Sequence, residues 1–317
     1  MKSISPFIPS YIKHRHSGLL TARIKQSMAV LKNCTLCPRR CEVNRLAGKI
    51  GVCRTTTKAW VSSYQAHFGE ESPLVGSHGS GTIFFTHCNL LCNFCQNHEI
   101  SHYGEGEELS AGQLAAIMLF LQKRGCHNIN LVTPSHVVPQ ILAAVDIAAQ
   151  RGLTIPLVYN TSAYDEVDTL KLLEGVVDIY LPDFKFWQPE VAEMTCRAPN
   201  YPEIARQAIV EMYRQVGDLV IDDSGLAQRG LLIRHLVLPN NLAGTREIMR
   251  FIFQQISPHT YVNIMPQYQP YGRVFKFKEL ARRISPAEYE AALQVTQEEG
   301  ITRWDDKAKH FMALVAQ

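Results

Sequence analysis

No apolar run in the chain reaches the roughly 18–20 residues of a membrane span, which removes the membrane-spanning helical classes. Charge imbalance is scarce as well. The 317 residues carry a net charge of +3, too little to make nucleic acid the expected partner. Neither a repeat of fixed period nor a low-complexity tract is present, so solenoids and linker-like architectures drop out. Acidic residues are missing entirely from positions 1–41, which nevertheless hold Lys2, Lys13, Arg15, Arg23, Lys25, Lys32, Arg39 and Arg40. Acid-poor, basic segments include organelle transit peptides, but this one lacks the apolar core of a secretory signal and runs straight into a cysteine motif. Leu20, Ile24, Met28 and Leu31 recur at helical spacing, which predicts a short amphipathic helix packed on the core. A docking face for an acidic partner is the alternative reading of the same stretch.

The remaining composition is ordinary, 46% hydrophobic and 19% charged, apart from its use of cysteine. There are nine cysteines, an odd number, and seven of them sit in two tight clusters. Without an export signal, such clusters read as metal or iron–sulfur ligands in a reducing cytoplasm and not as a disulfide framework. Cys126 and Cys196 stand apart and read as buried, inert thiols.

From residue 81 onward, short β-rich runs alternate with helical patterns. The expected strands are Gly81–His87, Asn128–Val132, Ile155–Tyr159, Val177–Leu181, Leu231–Leu238 and Tyr261–Met265. Helices are expected at Ser110–Arg124, Val138–Arg151, Tyr164–Leu173, Glu203–Val216 and Arg246–Ile256, with a last one near Pro286–Glu299. The first of these is well punctuated: Ser110 caps it, Leu114, Ile117, Met118 and Leu121 form its stripe, and Gly125 ends it. Residues 218–230 read as a turn into the fifth strand. Six strand–helix units imply parallel strands joined by right-handed crossovers: an α/β fold, a partial (β/α)6 barrel, with chemistry at the carboxyl ends of its strands.

Immediately after the first expected strand comes Cys88-Asn-Leu-Leu-Cys92-Asn-Phe-Cys95. Three thiolates at this spacing can hold three irons of a 4Fe–4S cube and leave the fourth iron open. The spacing, the aromatic Phe94 and the position after a first β/α strand resemble the radical SAM (S-adenosylmethionine) superfamily, in which the open iron chelates SAM. The likeness is strongest to the group named after the pyruvate formate-lyase activating enzyme, and within it to a homologous, largely uncharacterised branch. It extends over most of the chain: Gln96-Asn97 follows the last cysteine, Asn160-Thr161-Ser162 ends the third strand, and Asp183-Phe184-Lys185 ends the fourth. Arg234 stands on the fifth strand and Met265-Pro266-Gln267-Tyr268 ends the sixth.

This resemblance implies three segments. They are an N-terminal helix and four-cysteine module at 1–75, a radical SAM partial barrel at 76–275, and a C-terminal helical tail at 276–317. It also implies SAM contacts at these strand ends. Arg234 or Lys185 is suited to the SAM carboxylate, Asp183 and Asn160 to its ammonium or ribose, and Tyr268 to stacking on adenine, with Ser162 beside them. The chain departs from the family at one point. Where Gly-Gly-Glu often follows the second strand, this sequence has Thr133-Pro134-Ser135-His136, so Thr133 and Ser135 become the candidates for the amino group. His87 and His98, flanking the motif, read as hydrogen-bond partners or packed side chains.

Cys34, Cys37, Cys41 and Cys53 form the second set, with Gly48 and Gly51 to bend the loop between them. Four thiolates suffice for a closed site, and zinc and an auxiliary iron–sulfur cluster fit equally. The expected function is reductive cleavage of SAM to a 5′-deoxyadenosyl radical for hydrogen abstraction, with an electron donor such as flavodoxin or ferredoxin. The resemblance suggests a glycine of a partner glycyl-radical enzyme as the hydrogen donor, with another protein, a peptide or a small molecule as the alternatives. The alternative is a non-catalytic iron–sulfur or zinc protein for electron transfer or protein binding. RNA modification finds no support in an appended module or a basic balance.

Overall fold

The parallel strands are buried on both faces, so their sequences are near-continuous apolar runs that say little about where each strand starts and stops. A computed structural model describes residues 7–14 and 17–305; Lys2, Arg15 and the tail from 306 onward lie outside the described residues. Nine strands form one sheet: β1 (Ala59–His67), β2 (Ser80–Phe85), β3 (Glu107–Leu109), β4 (Ile129–Val132), β5 (Leu157–Thr161), β6 (Ile179–Pro182), β7 (Val220–Ile221), β8 (Ala227–Leu236) and β9 (Tyr261–Met265). Six of them, β2, β4, β5, β6, β8 and β9, run parallel in that spatial order. β9 pairs with β8, and the sheet does not close on β2. The α/β partial barrel is therefore as expected, with most strand boundaries displaced by one or two residues.

Three strands were not anticipated. β1 runs antiparallel to β2, with Val61 opposite Phe85 and His67 opposite Ser80, and β3 pairs antiparallel with β1 on its outer side. The stretch 218–230, expected as a turn, contains β7, which pairs antiparallel with the start of β8. An unexpected helix, Pro189–Cys196, follows β6. The amphipathic N-terminal helix is present as Leu19–Val30, with Leu20 buried and Ile24 and Met28 packed against the main core. Ser110 accepts from the Gln113 N–H while the Gln113 side chain accepts from the Ser110 N–H, a complete capping box for Ala111–Lys123.

Alternation along the strands separates two cores. Leu157, Tyr159, Tyr180, Leu231 and Ile233 pack in the larger cluster with the helices. Val158, Ile179, Leu181 and Leu232 join Leu74 and Leu219 in a smaller cluster on the opposite face of the sheet. Two residues further along the same strands, hence on that same face, stand Asn160, Asp183 and Arg234. The fold thus turns an apolar floor into a polar rim at the carboxyl end of the sheet.

Candidate cluster and cofactor site

The loop that follows β2 carries Cys88, Cys92 and Cys95, and two of its residues, His87 (φ 69°) and Leu91 (φ 59°), take the left-handed backbone that a tight wrap requires. Its sulfurs are already addressed by hydrogen-bond donors. The Leu90 N–H points at Cys88 Sγ (3.3 Å) and the Ser101 hydroxyl at Cys95 Sγ (3.3 Å). The loop is pinned from behind, since the Asn93 N–H donates to Thr195 O and its side-chain amide to Met194 O. Phe94 meets Tyr268 (5.5 Å) and Phe186 (6.0 Å) edge to face, which accounts for the aromatic before the last cysteine.

Burial pushes the Cys88 thiol up to about 12 and raises Cys95 as well, so a metal bound there would have to displace protons. Cys92 is raised further still, first by a hydrogen bond from Cys196 and then by burial. Cys196 is therefore buried but not isolated: it ends the helix Pro189–Cys196 with its Sγ 3.3 Å from Cys92 Sγ. The donor set fits a three-thiolate cluster. The three sulfurs lie within electrostatic reach of one another. Among the described residues no three His, Cys, Asp or Glu side chains are arranged for a single metal ion.

Cys92 and Cys95 share a cavity of about 230 Å³ with Asp183, Lys185, Arg234 and Tyr268. Asp183 joins the two cations: Arg234 Nε donates to its Oδ1 (2.5 Å) and Lys185 Nζ to its Oδ2 (2.5 Å). Arg234 continues to Asn160 Oδ1 (2.6 Å) and, at 3.5 Å, to Glu70. Burial alone would raise the Asp183 carboxyl, but Arg234 and then Lys185 overcome it and hold it below the usual carboxylate range. Burial likewise opposes charge on Lys185, and Asp183 overrides it. Both cations therefore stay charged at the cavity wall.

The other expected contacts are distributed unevenly. Tyr268 lines the cavity, but its ring is buried and its hydroxyl is already given to Leu280 O. Ser162 uses its carbonyl to accept from the Tyr201 hydroxyl. Ser135 is drawn away into a buried group with Thr161 Oγ1 (3.1 Å), which donates in turn to Asp165. Thr133 donates its N–H to Asn160 O and sits at φ 61°, strained for a β-branched residue. His98 stacks on His102 (3.9 Å) outside the cavity.

Sequence reading missed Glu70 and Glu71. Glu71 is buried, accepts from Asn263 on β9 (2.8 Å), and leaves Oε2 without a partner. Burial pushes its carboxyl up to about 7 against the opposing pull of Arg234. An acidic pair ahead of Ser-Pro carries no sequence signal for this placement. The four N-terminal cysteines line one small pocket, together with Arg45 and His136.

Residues 82–252 match the Radical SAM superfamily. An uncharacterized protein of Methanocaldococcus jannaschii, MJ0674, is 32% identical over 288 residues, covering 88% of this chain and 79% of that protein. Among solved structures, HydG, a maturase of the [FeFe]-hydrogenase, superposes with a TM-score of 0.47 at 13% identity. That superposition covers 68% of this chain and 48% of that one. The family match spans more than half of the chain and includes the three-cysteine loop and the strands that face it: this protein belongs to the radical SAM superfamily.

Proposed function

We propose that the chain holds a 4Fe–4S cluster at Cys88, Cys92 and Cys95, binds SAM in the adjoining cavity, and generates a radical for hydrogen abstraction. One observation carries this reading: the thiols of Cys92 and Cys95 open onto the same cavity as Asp183, Lys185 and Arg234. When bound, the cluster supplies the electron that splits SAM into methionine and a 5′-deoxyadenosyl radical.

The chain's own residues contribute binding and shielding. Lys185 and Arg234, kept charged by Asp183, suit the SAM carboxylate. Asn160, held by Arg234, is aligned with the same rim. Phe94, Phe186 and Tyr268 pack edge to face into an apolar wall beside the cluster loop.

The hydrogen donor in this reading is a protein glycine, as in the pyruvate formate-lyase activating group, on the strength of the sequence resemblance. An acidic one-electron donor of the flavodoxin or ferredoxin type is supported by the opposite side of the cluster loop. There Arg39, Arg54, Arg197 and Arg273 line a cavity of about 420 Å³ together with Leu91, Asn93 and Cys196. Nine unbridged cysteines suit a reducing, cytoplasmic setting. No helix among the described residues is long and apolar enough to cross a membrane.

The test is anaerobic reconstitution with iron and sulfide, reduction, addition of SAM, and detection of 5′-deoxyadenosine. Cys88→Ala, Cys92→Ala and Cys95→Ala should each abolish the product; turnover retained by any of the three would sink the assignment. A carrier that only binds or passes electrons would show no response of the reduced cluster's spectrum to SAM.

A further inference from the structure

The N-terminal thiol pocket contains more than four cysteines. Arg45 is 1% exposed and its guanidinium donates to Thr56 O, His136 O and Cys34 Sγ (3.8 Å), with no carboxylate paired to it among the described residues. A buried cation is stabilised by a nearby buried anion, and Cys34, were it ligated as a thiolate, would supply one within reach of Arg45. The Val52 N–H points at Cys41 Sγ (3.4 Å), the kind of donor that supports a ligated sulfur. Gly51 is required for this approach, because a Cβ there would lie 2.7 Å from both Cβ and Sγ of Cys41. His136 adds a second, independent sign of a ligand. Its ring is 1% exposed, Nε2 is engaged with Thr86 O (2.9 Å), and Nδ1 has no partner at the wall of this pocket.

The pocket is also joined to the radical-site loop. Arg39, two residues after Cys37, donates Nε to Asn89 O (2.8 Å) and Nη2 to Leu90 O (3.1 Å). Asn89, which adjoins Cys88, is itself held by its side-chain amide, which donates to Tyr164 O (2.7 Å). All four thiols line the one pocket.

We propose that Cys34, Cys37, Cys41 and Cys53 hold a second iron–sulfur cluster, which passes single electrons to the radical site across the Cys37, Arg39 and Asn89 contact. An external one-electron protein donor, of the flavin or iron–sulfur class, is oxidised by one electron. The second cluster is reduced and then reoxidised, and the radical-site cluster gains that electron. No bond is made or broken and no proton moves. The ligand set stands without the proposed function; the relay rests on it.

The experiment uses the full chain, reconstituted anaerobically, with iron, acid-labile sulfide and zinc measured on three proteins. These are the wild type, a Cys34→Ala/Cys53→Ala variant, and a Cys88→Ala/Cys92→Ala/Cys95→Ala variant. Each variant should keep about half of the wild-type iron and sulfide, and only proteins with Cys88, Cys92 and Cys95 should show an electron-paramagnetic signal that SAM perturbs. Gly51→Ala, which crowds Cys41 without removing a ligand, should lower the same half. The ratio of SAM cleavage driven by a reduced flavodoxin to that driven by dithionite should fall in the Cys34→Ala/Cys53→Ala variant. Zinc that disappears with Cys34 and Cys53 would overturn the cluster, and unchanged iron in that variant would overturn the site. An unchanged ratio would overturn the relay. A radical-site variant that loses no iron would instead count against the proposed function, leaving the second set to be judged by its own variants.

Discussion

Replacing Asp183 by alanine removes the carboxylate that Arg234 and Lys185 share, in a place where all three side chains are only 13–16% exposed. Breaking a buried ion pair from one side leaves the partner charge uncompensated and typically costs about 3–5 kcal/mol. Arg234 would keep Asn160 and Glu70, whereas Lys185 has Asp183 as its ion-pair partner. The expected loss therefore falls toward the lower end, about 3 kcal/mol. Denaturant unfolding of the reduced, metal-free chain, followed by fluorescence and circular dichroism together, measures it.

A second variant identifies the cause. If the stranded ammonium is responsible, Asp183→Ala/Lys185→Met should recover about 1–2 kcal/mol, because a matched apolar side chain leaves no buried charge. A loss below about 1 kcal/mol for Asp183→Ala, or a double variant no better than the single, would refute the reasoning. The folded pKa of Asp183 is depressed, so its contribution is present above the unfolded value of about 3.9 and is lost as pH falls through the lower folded value. In the reconstituted protein, Asp183→Ala should weaken SAM binding without lowering iron content.

Glu71 behaves in the opposite sense: its carboxyl is raised to about 7, so the folded chain keeps a proton that the unfolded chain gives up near 4.5. Its penalty grows as pH rises between those values, and Glu71→Gln should be more stable than wild type at about pH 8 and equal to it at about pH 4. Identical pH dependence of the two unfolding midpoints would remove Glu71 from the account. In the metal-free chain, mild oxidation by diamide should join Cys92 to Cys196, two thiols giving two electrons and two protons to the oxidant. Peptide mapping that finds Cys196 unpaired while Cys92 has reacted elsewhere would contradict their 3.3 Å contact. Ser110→Ala should cost about 1 kcal/mol through loss of its capping box, read as a shift in unfolding midpoint; no shift would mean that solvent replaces the cap fully.

The fold class was legible because six apolar runs alternate with helical patterns, and burial on both faces demands that arrangement. Strand ends were less legible: β5 and β6 run two and one residues past the expected limits, since pairing continues through the polar Asn160 and Thr161 and through Pro182 after the apolar runs have ended. In the middle of β1, Ser63, Tyr64 and Gln65 are all exposed, so the strand lacks a clean alternation of buried and open positions. Its sequence reads as irregular until the edge of β2 is there to pair with it.

The three-cysteine loop was determined by the sequence alone, since its spacing is local and the covalent chain sets how far apart three neighbouring thiols can be. The same holds for the four-cysteine set and the Ser110 cap. Tertiary structure alone brought Cys196 to Cys92 across 104 positions, Arg39 to Cys196 across 157, and Glu71 to Asn263 across 192. Those meetings depend on how helices and strands pack. No pattern within any one segment encodes the distance to another, and the decisive partners of a local motif emerge only when the barrel has assembled around it.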